Sequence, residues 1–370
     1  MKKVCIVTAA RSEYGLLRWI IDEIHNSGDL ELQLVVTGGH LSPEQGLTYK
    51  FIEEDGYPIA EKVEMLLSSN NEVGIAKSMG LCSISIADTF KRLSPDILIV
   101  LGDRYEQLSI VGTALVMGIQ VAHISGGDVT EGAIDDEIRN AISMMATLHF
   151  PGVEASAENL RRMRGTDRNI FTVGEPGLDS FLRMDLWSKE HLSKDLHLDI
   201  NKRWCLVTLH SETKLSIEDN LAMVKALFNS MQLVKDCQFV ITKANADLGG
   251  SSINQFWKEA VAQDEEKYRL IPSLGQIRYL SFMREVDAVI GNSSSGIVEA
   301  PFMGIPVVNI GGRQNGRYMC KNVICCGRTE KEISAAIKNA MSAPRLIDKY
   351  WGDGHASSKI VKHVREFLFK

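Results

Sequence analysis

Residues 288–310 read "AVIGNSSSGIVEAPFMGIPVVNI", and this stretch predicts the architecture around it. An apolar run ends at Gly291, three consecutive serines follow, and a second apolar run starts at Val307. Apolar runs this short are typical of strands that are buried on both faces of a sheet. We therefore expect a parallel sheet in which one strand ends at Ile290 and a helix begins near Ser295.

The same pattern recurs along the chain. Strand-like runs that end in polar residues include "VCIVTAARSEYG", "DILIVLGDRYE", "VAHISGGD", "WCLVTLHSE" and "FVITKANAD", with helical stretches between them. Strands that alternate with helices predict βαβ units and parallel sheets. Because a charged stretch without a strand, residues 183–202, interrupts the series, we predict two domains, 1–185 and 186–370. The fold class is α/β, with two Rossmann-like doubly wound domains that face a cleft. The amphipathic stretch "SSKIVKHVREFLFK" predicts a last helix, which could pack back on the N-terminal domain.

Composition narrows the class of protein. The chain has 370 residues, 45% of them apolar and 24% charged, and a net charge of −6. These values are typical of a globular protein and argue against a nucleic-acid partner, which usually meets a basic face. No run approaches the roughly 20 apolar residues of a membrane span, so we expect no membrane partner and a cytoplasmic location. The seven cysteines include no CxxC pair, which predicts reduced structural thiols. No G-x-G-x-x-G follows the first strand, which disfavours a dehydrogenase.

The serine turn has the residues of an anion site. Asn292 and the serines favour helix N-caps, and Gly296 lets a backbone or ligand approach closely. The first N–H groups of a helix are unpaired and its dipole is positive there, which suits a diphosphate. The hydroxyls of Ser294 and Ser295 could add donors, and the carboxylate of Glu299 suits a ribose diol. An ordinary capped helix would have the same residues.

Three arginines follow strand-like runs. Arg313 and Arg317 lie in "GGRQNGR", which we interpret as a mobile basic loop, and Arg11 follows the first strand. Guanidinium groups bind phosphates in a planar fork, so each could hold a diphosphate. Solvated surface arginines remain the alternative.

Carboxylates crowd the first half of the chain. Asp103 follows a very apolar strand, where an aspartate serves either as a base or as a helix cap. Five further acids lie in one loop and the helix after it: Asp128, Glu131, Asp135, Asp136 and Glu137. Asp135 and Arg139 are four residues apart and share a helix face. Crowded acids can raise one another's pKa, so one of them could work as a base, although capping acids would look the same. In the second half, His210 follows the first strand, where it would face the cleft.

Six segments together resemble one enzyme family. They are "TAARSEYGLL", "LGDR", "GGDVTEGAIDD", "VGEPGLD", "GNSSSGIVEAP" and "GIPVVNIGGRQ". Each is weak alone, but their order and spacing resemble the UDP-N-acetylglucosamine 2-epimerases, and within them the hydrolysing branch that opens sialic and nonulosonic acid synthesis. The resemblance implies the GT-B arrangement of two Rossmann-like domains.

The resemblance also implies a two-step reaction. UDP leaves UDP-N-acetylglucosamine by elimination across C1–C2, and water then adds to the 2-acetamidoglucal with inversion at C2, releasing N-acetylmannosamine. We expect a UDP-sugar as the partner, no cofactor, no metal, and a homodimer or homotetramer. The resemblance assigns catalytic roles to Asp103, Asp128, Asp135, Arg139 and His210. It assigns UDP or substrate binding to Arg11, Asn292, Ser294, Ser295, Gly296, Glu299, Arg313 and Arg317.

One departure leaves the exact sugar open. Many relatives have a glutamate two residues after the histidine of the "HxxGG" loop, where this chain has Ser125. A UDP-2,4-diacetamido-trideoxy sugar, on the route to legionaminic acid, is therefore an alternative substrate. The rival functions are a non-hydrolysing epimerase, a GT-B glycosyltransferase and a non-catalytic nucleotide-sugar-binding module.

Overall fold

The computed structural model describes residues 1–67, 71–129, 134–212, 214–244 and 249–370. The chain forms two compact units. Unit 1 comprises Met1–Leu182 and Gly352–Lys370, and unit 2 comprises Arg183–Trp351. The C-terminal segment thus belongs with the first unit, whereas the range we expected for the second domain, 186–370, included it.

Unit 1 is built on a parallel sheet with helices on both sides. Its described strands are β1 (Lys2–Thr8), β2 (Leu30–Thr37), β3 (Ile59–Val63), β4 (Ile97–Leu101), β5 (Gln120–Ile124) and β6 (Leu148–Phe150). They lie in the order β3-β2-β1-β4-β5-β6, and each pairs with its neighbour in parallel. The described helices are α1 (Arg11–His25), α2 (Tyr49–Glu54), α3 (Glu72–Leu93), α4 (Tyr105–Val116), α5 (Asp135–Met145), α6 (Glu154–Arg164), α7 (Asp179–Arg183) at the unit boundary, and α15 (Ala356–Leu368). Short 3-10 turns lie at Gly38–Leu41 and Pro176–Leu178.

Unit 2 repeats this plan. Its described strands are β7 (Arg203–Thr208), β8 (Cys237–Thr242), β9 (Tyr268–Ile271), β10 (Ala288–Gly291), β11 (Val307–Ile310) and β12 (Val323–Cys326). They form a parallel sheet in the order β12-β11-β10-β7-β8-β9. The described helices are α8 (Lys189–Leu196), α9 (Ile217–Gln232), α10 (Gly250–Val261), α11 (Gly275–Glu285), α12 (Ser294–Ile297), α13 (Glu299–Phe302) and α14 (Glu330–Ala340). The predicted α/β class with two Rossmann-like doubly wound domains is confirmed.

Helix α1 illustrates why these segments fold as they do. Its apolar residues Leu17, Ile20, Ile21 and Ile24 recur at helical spacing, and all four are fully buried. This face packs into the same core as Val4 and Ile6 of β1. Because the strands of the sheet are covered on both faces, they carry continuous apolar runs rather than alternating ones.

The last helix, α15, completes the core of unit 1. Ile360, Val361 and Val364 are buried in the cluster that contains the apolar face of α1. The fully buried carboxylate of Asp179 accepts hydrogen bonds from the backbone N–H groups of Ala356 at 2.9 Å and Ser357 at 2.8 Å, and so caps the helix. The aspartate of the "VGEPGLD" segment therefore has a structural role. Among the helices that the structure describes, none has the length and apolar content to span a membrane.

Candidate active site

In unit 1 the candidate residues gather where the strand order reverses. From β1 the chain continues to β2 on one side, and from β4 it continues to β5 on the other side. The gap between two such strands is a point where α/β folds commonly bind ligands. A cavity of about 390 Å³ opens at the carboxyl end of β4. Its described lining is Ser12, Glu13, Leu16, Leu101, Gly102, Asp103, Arg104, Tyr105, Ile134, Asp135 and Ile138. The cavity thus brings together Asp103 and Asp135, and it adds Glu13, which sequence reasoning missed.

Arg139 is the centre of the acid cluster. Its guanidinium is buried and ion-paired with Asp103. One of its nitrogens, Nη1, also donates to Oδ1 of Asp136 at 3.1 Å and to the backbone carbonyl of Asp128 at 2.9 Å. We expected Asp135 as its helix partner, but the carboxylate that hydrogen-bonds it from α5 is Asp136, three residues before it. Both spacings bring side chains together on a helix, so sequence alone could not choose between them.

Asp135 is set apart by its surroundings. It is exposed at the start of α5, and partial burial, together with the nearby charge of Asp103, raises its pKa. The charges of Arg139 and Arg104 oppose this rise. A carboxyl whose pKa is raised at the wall of a cavity is a candidate for acid–base chemistry.

The remaining acids of the loop lie in other environments. Oδ1 of Asp128 accepts a hydrogen bond from the Ser156 hydroxyl at 2.5 Å, and Asp128 is not among the described residues that line the cavity. The backbone carbonyl of Asp128 helps to orient Arg139, whereas the position of its carboxylate gives no direct support for a role in proton transfer. Glu137 is exposed on α5, and Glu131 lies outside the described residues.

His123 contacts the backbone next to Asp103, and the sequence did not single it out. Its Nε2 lies 2.8 Å from the carbonyl oxygen of Gly102, the residue before Asp103, and its Nδ1 lies 2.9 Å from the Ser143 hydroxyl. A carbonyl only accepts, so Nε2 carries the proton. Burial lowers the pKa of His123 to about 4, so the ring is neutral and serves to fix the backbone that carries Asp103.

A helix begins in the serine turn of unit 2, as the sequence predicted, but it is short. Helix α12 spans only Ser294–Ile297, and α13 begins at Glu299. Pro301 has no N–H with which to reach the carbonyl of Ile297, so the hydrogen-bond series is interrupted there. The positive helix end is therefore weaker than that of a continuous helix. Ser293 is the N-cap, and its hydroxyl accepts from the Ser295 N–H at 3.4 Å.

The individual residues of this turn divide between exposed and buried positions. Ser294 is exposed, whereas the Ser295 hydroxyl lies 2.5 Å from that of Tyr279 and 3.0 Å from Oγ of Ser293. A Cβ on Gly296 would lie 3.1 Å from Val307, so this glycine allows α12 to pack closely on β11. Burial raises the pKa of Tyr279 to about 12, which keeps its hydroxyl protonated.

The side-chain amide of Asn292 makes hydrogen bonds within unit 2. Its side-chain amide bonds to the backbone of His210, which joins the ends of β10 and β7. His210 itself is buried at the end of β7. The backbone carbonyl of Asn292 accepts from Arg313 at 3.1 Å and from Gln314 at 2.8 Å.

The basic loop after β11 is braced rather than free. The buried carboxylate of Glu212 accepts from the Gly312 N–H at 3.1 Å and is gripped by Nε and Nη2 of Arg328 at 3.2 and 2.6 Å. Arg317 is exposed. Burial raises the pKa of half-buried Glu299. Its own backbone hydrogen bond and the charge of Arg317 oppose this rise.

Arg11, which was predicted to bind a phosphate, lies at the start of α1. Arg11 is exposed at the first position of α1, with its guanidinium 4.8 Å from the centre of the Phe51 ring. Within the described ranges, no three His, Cys, Asp or Glu side chains are arranged to hold a metal ion.

Two parallel doubly wound units with polar clusters at the carboxyl ends of their strands place the chain among two-domain α/β proteins of the GT-B type. The solved UDP-GlcNAc 2-epimerase of Neisseria meningitidis, bound to UDP-GlcNAc, has the same fold, with a TM-score of 0.81 and 16% identity over 98% of this chain and 100% of that one.

The sequence comparisons identify the family. The profile of the UDP-N-acetylglucosamine 2-epimerases matches residues 22–365. The chain is 40% identical to the GDP/UDP-N,N'-diacetylbacillosamine 2-epimerase (hydrolyzing) of Campylobacter jejuni, over 87% of this chain and 84% of that protein. It is 31% identical to the UDP-N,N'-diacetylbacillosamine 2-epimerase (hydrolyzing) of Legionella pneumophila, over 97% and 94%. It is 30% identical to a UDP-N-acetylglucosamine 2-epimerase of Neisseria meningitidis, over 92% and 88%. The chain belongs to the UDP-N-acetylglucosamine 2-epimerase family, as the resemblance predicted.

Proposed function

We propose that the protein is a hydrolysing 2-epimerase that converts UDP-2,4-diacetamido-2,4,6-trideoxyglucose into UDP and the free sugar inverted at C2. The observation that carries this proposal is the 40% identity to the hydrolysing diacetylbacillosamine epimerase of Campylobacter jejuni. The apolar side chains of Leu16, Ile134 and Ile138 in the cavity of unit 1 support it, since such a sugar presents a 6-methyl group and a second acetamido methyl.

The residues of unit 1 suit the first chemical step. Asp103, ion-paired with Arg139, is an anionic carboxylate at the cavity wall and can take the proton from C2. The electron pair of the C2–H bond forms the C1=C2 double bond, and the C1–O bond breaks to release UDP. Water then adds at C1 of the 2-acetamidoglucal while C2 gains a proton on the opposite face.

The residues of unit 2 suit the leaving group. Ser294, with Arg313 and Arg317, offers a hydroxyl donor and positive charge for the diphosphate that develops as UDP departs. Glu299 would accept from the ribose hydroxyls, and His210 would act near the leaving oxygen. Arg11 would add a further positive charge.

UDP-N-acetylglucosamine is the second candidate substrate, because the 30% identity to the Neisseria meningitidis enzyme extends over 92% of the chain. The two are distinguished by incubating the purified protein with each nucleotide sugar and following the products by NMR. The proposal requires free inverted sugar and UDP from the diacetamido compound. Free N-acetylmannosamine from UDP-N-acetylglucosamine alone would select the second candidate, and an intact epimeric nucleotide sugar would identify a non-hydrolysing enzyme.

We also propose that the chain works as a homodimer or homotetramer in the cytoplasm. Large apolar side chains are exposed on α3 and at the end of α4, among them Val73, Ile84 and Val116, with 61%, 69% and 88% of their surface open. Such surface on one unit is typical of protein–protein contact. Light scattering of Ile84→Lys beside the wild-type protein tests this, since an unchanged mass would contradict a contact through α3.

A further inference from the structure

Glu13 is a buried carboxyl at the wall of the unit 1 cavity. It is 4% exposed and shares the cavity with Asp103 and Asp135. Its Oε2 accepts from the N–H groups of Ala9 at 2.6 Å and Ala10 at 3.1 Å. Its Oε1 lies 3.2 Å from Nε2 of Gln107. The end of β1 and the start of α4 therefore fix its position, and its carboxyl is held at the cavity.

The arginines near Glu13 are paired with other carboxylates. The fully buried Glu106 holds Nε and Nη2 of Arg104 at 3.2 and 2.7 Å, and Arg139 is paired with Asp103. His40, from the turn after β2, is neutral because burial lowers its pKa to about 4. No cation in this part of the described chain is paired primarily with Glu13, so the buried position favours its uncharged form. Burial raises the pKa of Glu13 to about 7, against the lowering effects of its hydrogen bonds and of Arg104.

Gln107 gives independent geometric support for a proton on Glu13. The amide oxygen of Gln107 is buried and has no hydrogen-bond partner among the described residues. A 180° rotation of this amide would bring the oxygen next to Oε1 of Glu13, where it could accept a proton from the carboxyl. Gln107 can thus donate to Glu13 as a carboxylate and accept from it as an acid. The Glu13 carboxyl therefore keeps a hydrogen-bond partner at Oε1 whether or not it carries a proton.

The proposed reaction needs a second acid. Inversion at C2 removes a proton from one face of the sugar and delivers one to the other, and a single fixed carboxyl cannot reach both faces. Asp103 is ion-paired and therefore suited to remove the proton, which leaves the delivery to a group that holds a proton at neutral pH.

We propose that Glu13 is the catalytic acid that delivers the proton to C2 in the hydration step; this inference rests on the proposed function. The π electrons of the C1=C2 bond take the proton from the Glu13 carboxyl, and the water oxygen bonds to C1. Water releases its proton to solvent. At the end of the cycle Glu13 is a carboxylate and Asp103 carries the C2 proton, and transfer through solvent from Asp103 to Glu13 restores both groups. The net reaction consumes one water and releases UDP, the free sugar and a proton.

The test compares Glu13→Gln with Asp55→Asn. Asp55 is a carboxyl of unit 1 that accepts from Tyr14 and Arg18 of the same helix α1 and lies outside the cavity lining, so it matches the structural cost. UDP release from the nucleotide sugar and hydration of the free 2-acetamidoglucal are measured separately. We expect Glu13→Gln to slow hydration by about a hundredfold while UDP release continues and the glucal accumulates. Asp55→Asn should leave the ratio of the two rates unchanged.

The pH profile of hydration supplies the second readout. The wild-type rate should fall as the pH rises above about 7, where Glu13 loses its proton, and Glu13→Gln should lose this dependence. Wild-type hydration in Glu13→Gln, or an equal slowing of both steps, would overturn the assignment of Glu13 alone. A wild-type protein that releases no UDP from either nucleotide sugar would instead overturn the proposed function, and this inference with it.

Discussion

The side-chain amide of Asn292 holds both backbone polar groups of His210. Its Oδ1 accepts from the His210 N–H and its Nδ2 donates to the His210 carbonyl, each at 2.8 Å. Asn292 is 1% exposed and His210 is 8% exposed, so neither backbone group can turn to bulk water instead. The position of His210 therefore depends on a residue 82 positions away in the sequence.

Replacing Asn292 tests this dependence. Asn292→Ala leaves a buried N–H and a buried carbonyl unpaired, and we expect the free energy of unfolding to fall by about 2 kcal/mol. Turnover should fall as well, because His210 loses its fixed position. Urea unfolding and an activity assay measure the two effects. Asn292→Asp keeps the acceptor for the His210 N–H and should lose less stability and less turnover. An alanine variant with wild-type stability would contradict a stabilising role for these two hydrogen bonds.

Asp103 should be essential for the elimination step. Asp103→Asn removes the base but keeps the size of the side chain, and we expect UDP release to slow by at least about a hundredfold. UDP affinity should be unchanged, since the residue lies in unit 1 at the cavity. Asp96→Asn, just before the other end of β4, is the control and should keep full turnover. Deuterium from solvent should appear at C2 of the wild-type product, and its absence would exclude cleavage of the C2–H bond.

Glu299 should contribute to nucleotide binding. Glu299→Ala removes the carboxylate proposed for the ribose hydroxyls, and the dissociation constant of UDP should rise about tenfold, equivalent to about 1.4 kcal/mol. Isothermal titration calorimetry measures this value. Glu330→Ala, an exposed residue at the start of α14, is the matched control. Unchanged UDP affinity in Glu299→Ala would end the ribose assignment.

Asp179 should stabilise the last helix. Asp179→Ala leaves the N–H groups of Ala356 and Ser357 without their cap, at an expected cost of about 1–2 kcal/mol. Limited proteolysis should then cut earlier between Gly352 and Lys370. Asp353→Ala removes a partly exposed carboxylate near the same helix start and should cost less. Equal effects in the two variants would argue against the cap.

His149 should make the protein less stable in acid. It is fully buried on β6, neither ring nitrogen has a partner among the described residues, and burial lowers its pKa to about 3. Below pH 6.5 His149 binds a proton in the unfolded state but stays neutral in the folded state. The free energy of unfolding therefore falls as the pH drops from 6.5 towards 3. His149→Leu should raise the free energy of unfolding by about 1 kcal/mol at pH 7 and more at pH 5. Urea unfolding at both pH values tests this, and a parallel loss in wild type and variant would contradict it.

The sequence predicted the sheets well because their signals are local. The apolar run of β10, the polar residues after it and the apolar run of β11 lie within 23 residues of chain, Ala288–Ile310. Asp103, Asp135 and Arg139 were likewise found from what surrounds each of them. Their grouping follows from the rule that parallel strands bring their carboxyl ends to one edge.

The pairings that orient the site could not be predicted in the same way. Glu13 and Gln107 are 94 residues apart, and Glu212 and Arg328 are 116 apart. A carboxylate after a strand gives no sign of which distant group it meets, so the sequence did not single out Glu13 or Glu212. Gly296 shows a similar limit, since a glycine beside a turn can serve a ligand or a neighbouring strand, and the sequence does not show its close approach to Val307.

The path of the chain through the two units has a consequence for synthesis. Unit 2 is one continuous segment, Arg183–Trp351, set between two pieces of unit 1. A ribosome that has passed Trp351 has made all of unit 2, while unit 1 still lacks the helix that closes its core. The half that is started first is thus finished last, and a stop codon shortly after Trp351 would remove the last helix of unit 1 while leaving unit 2 complete.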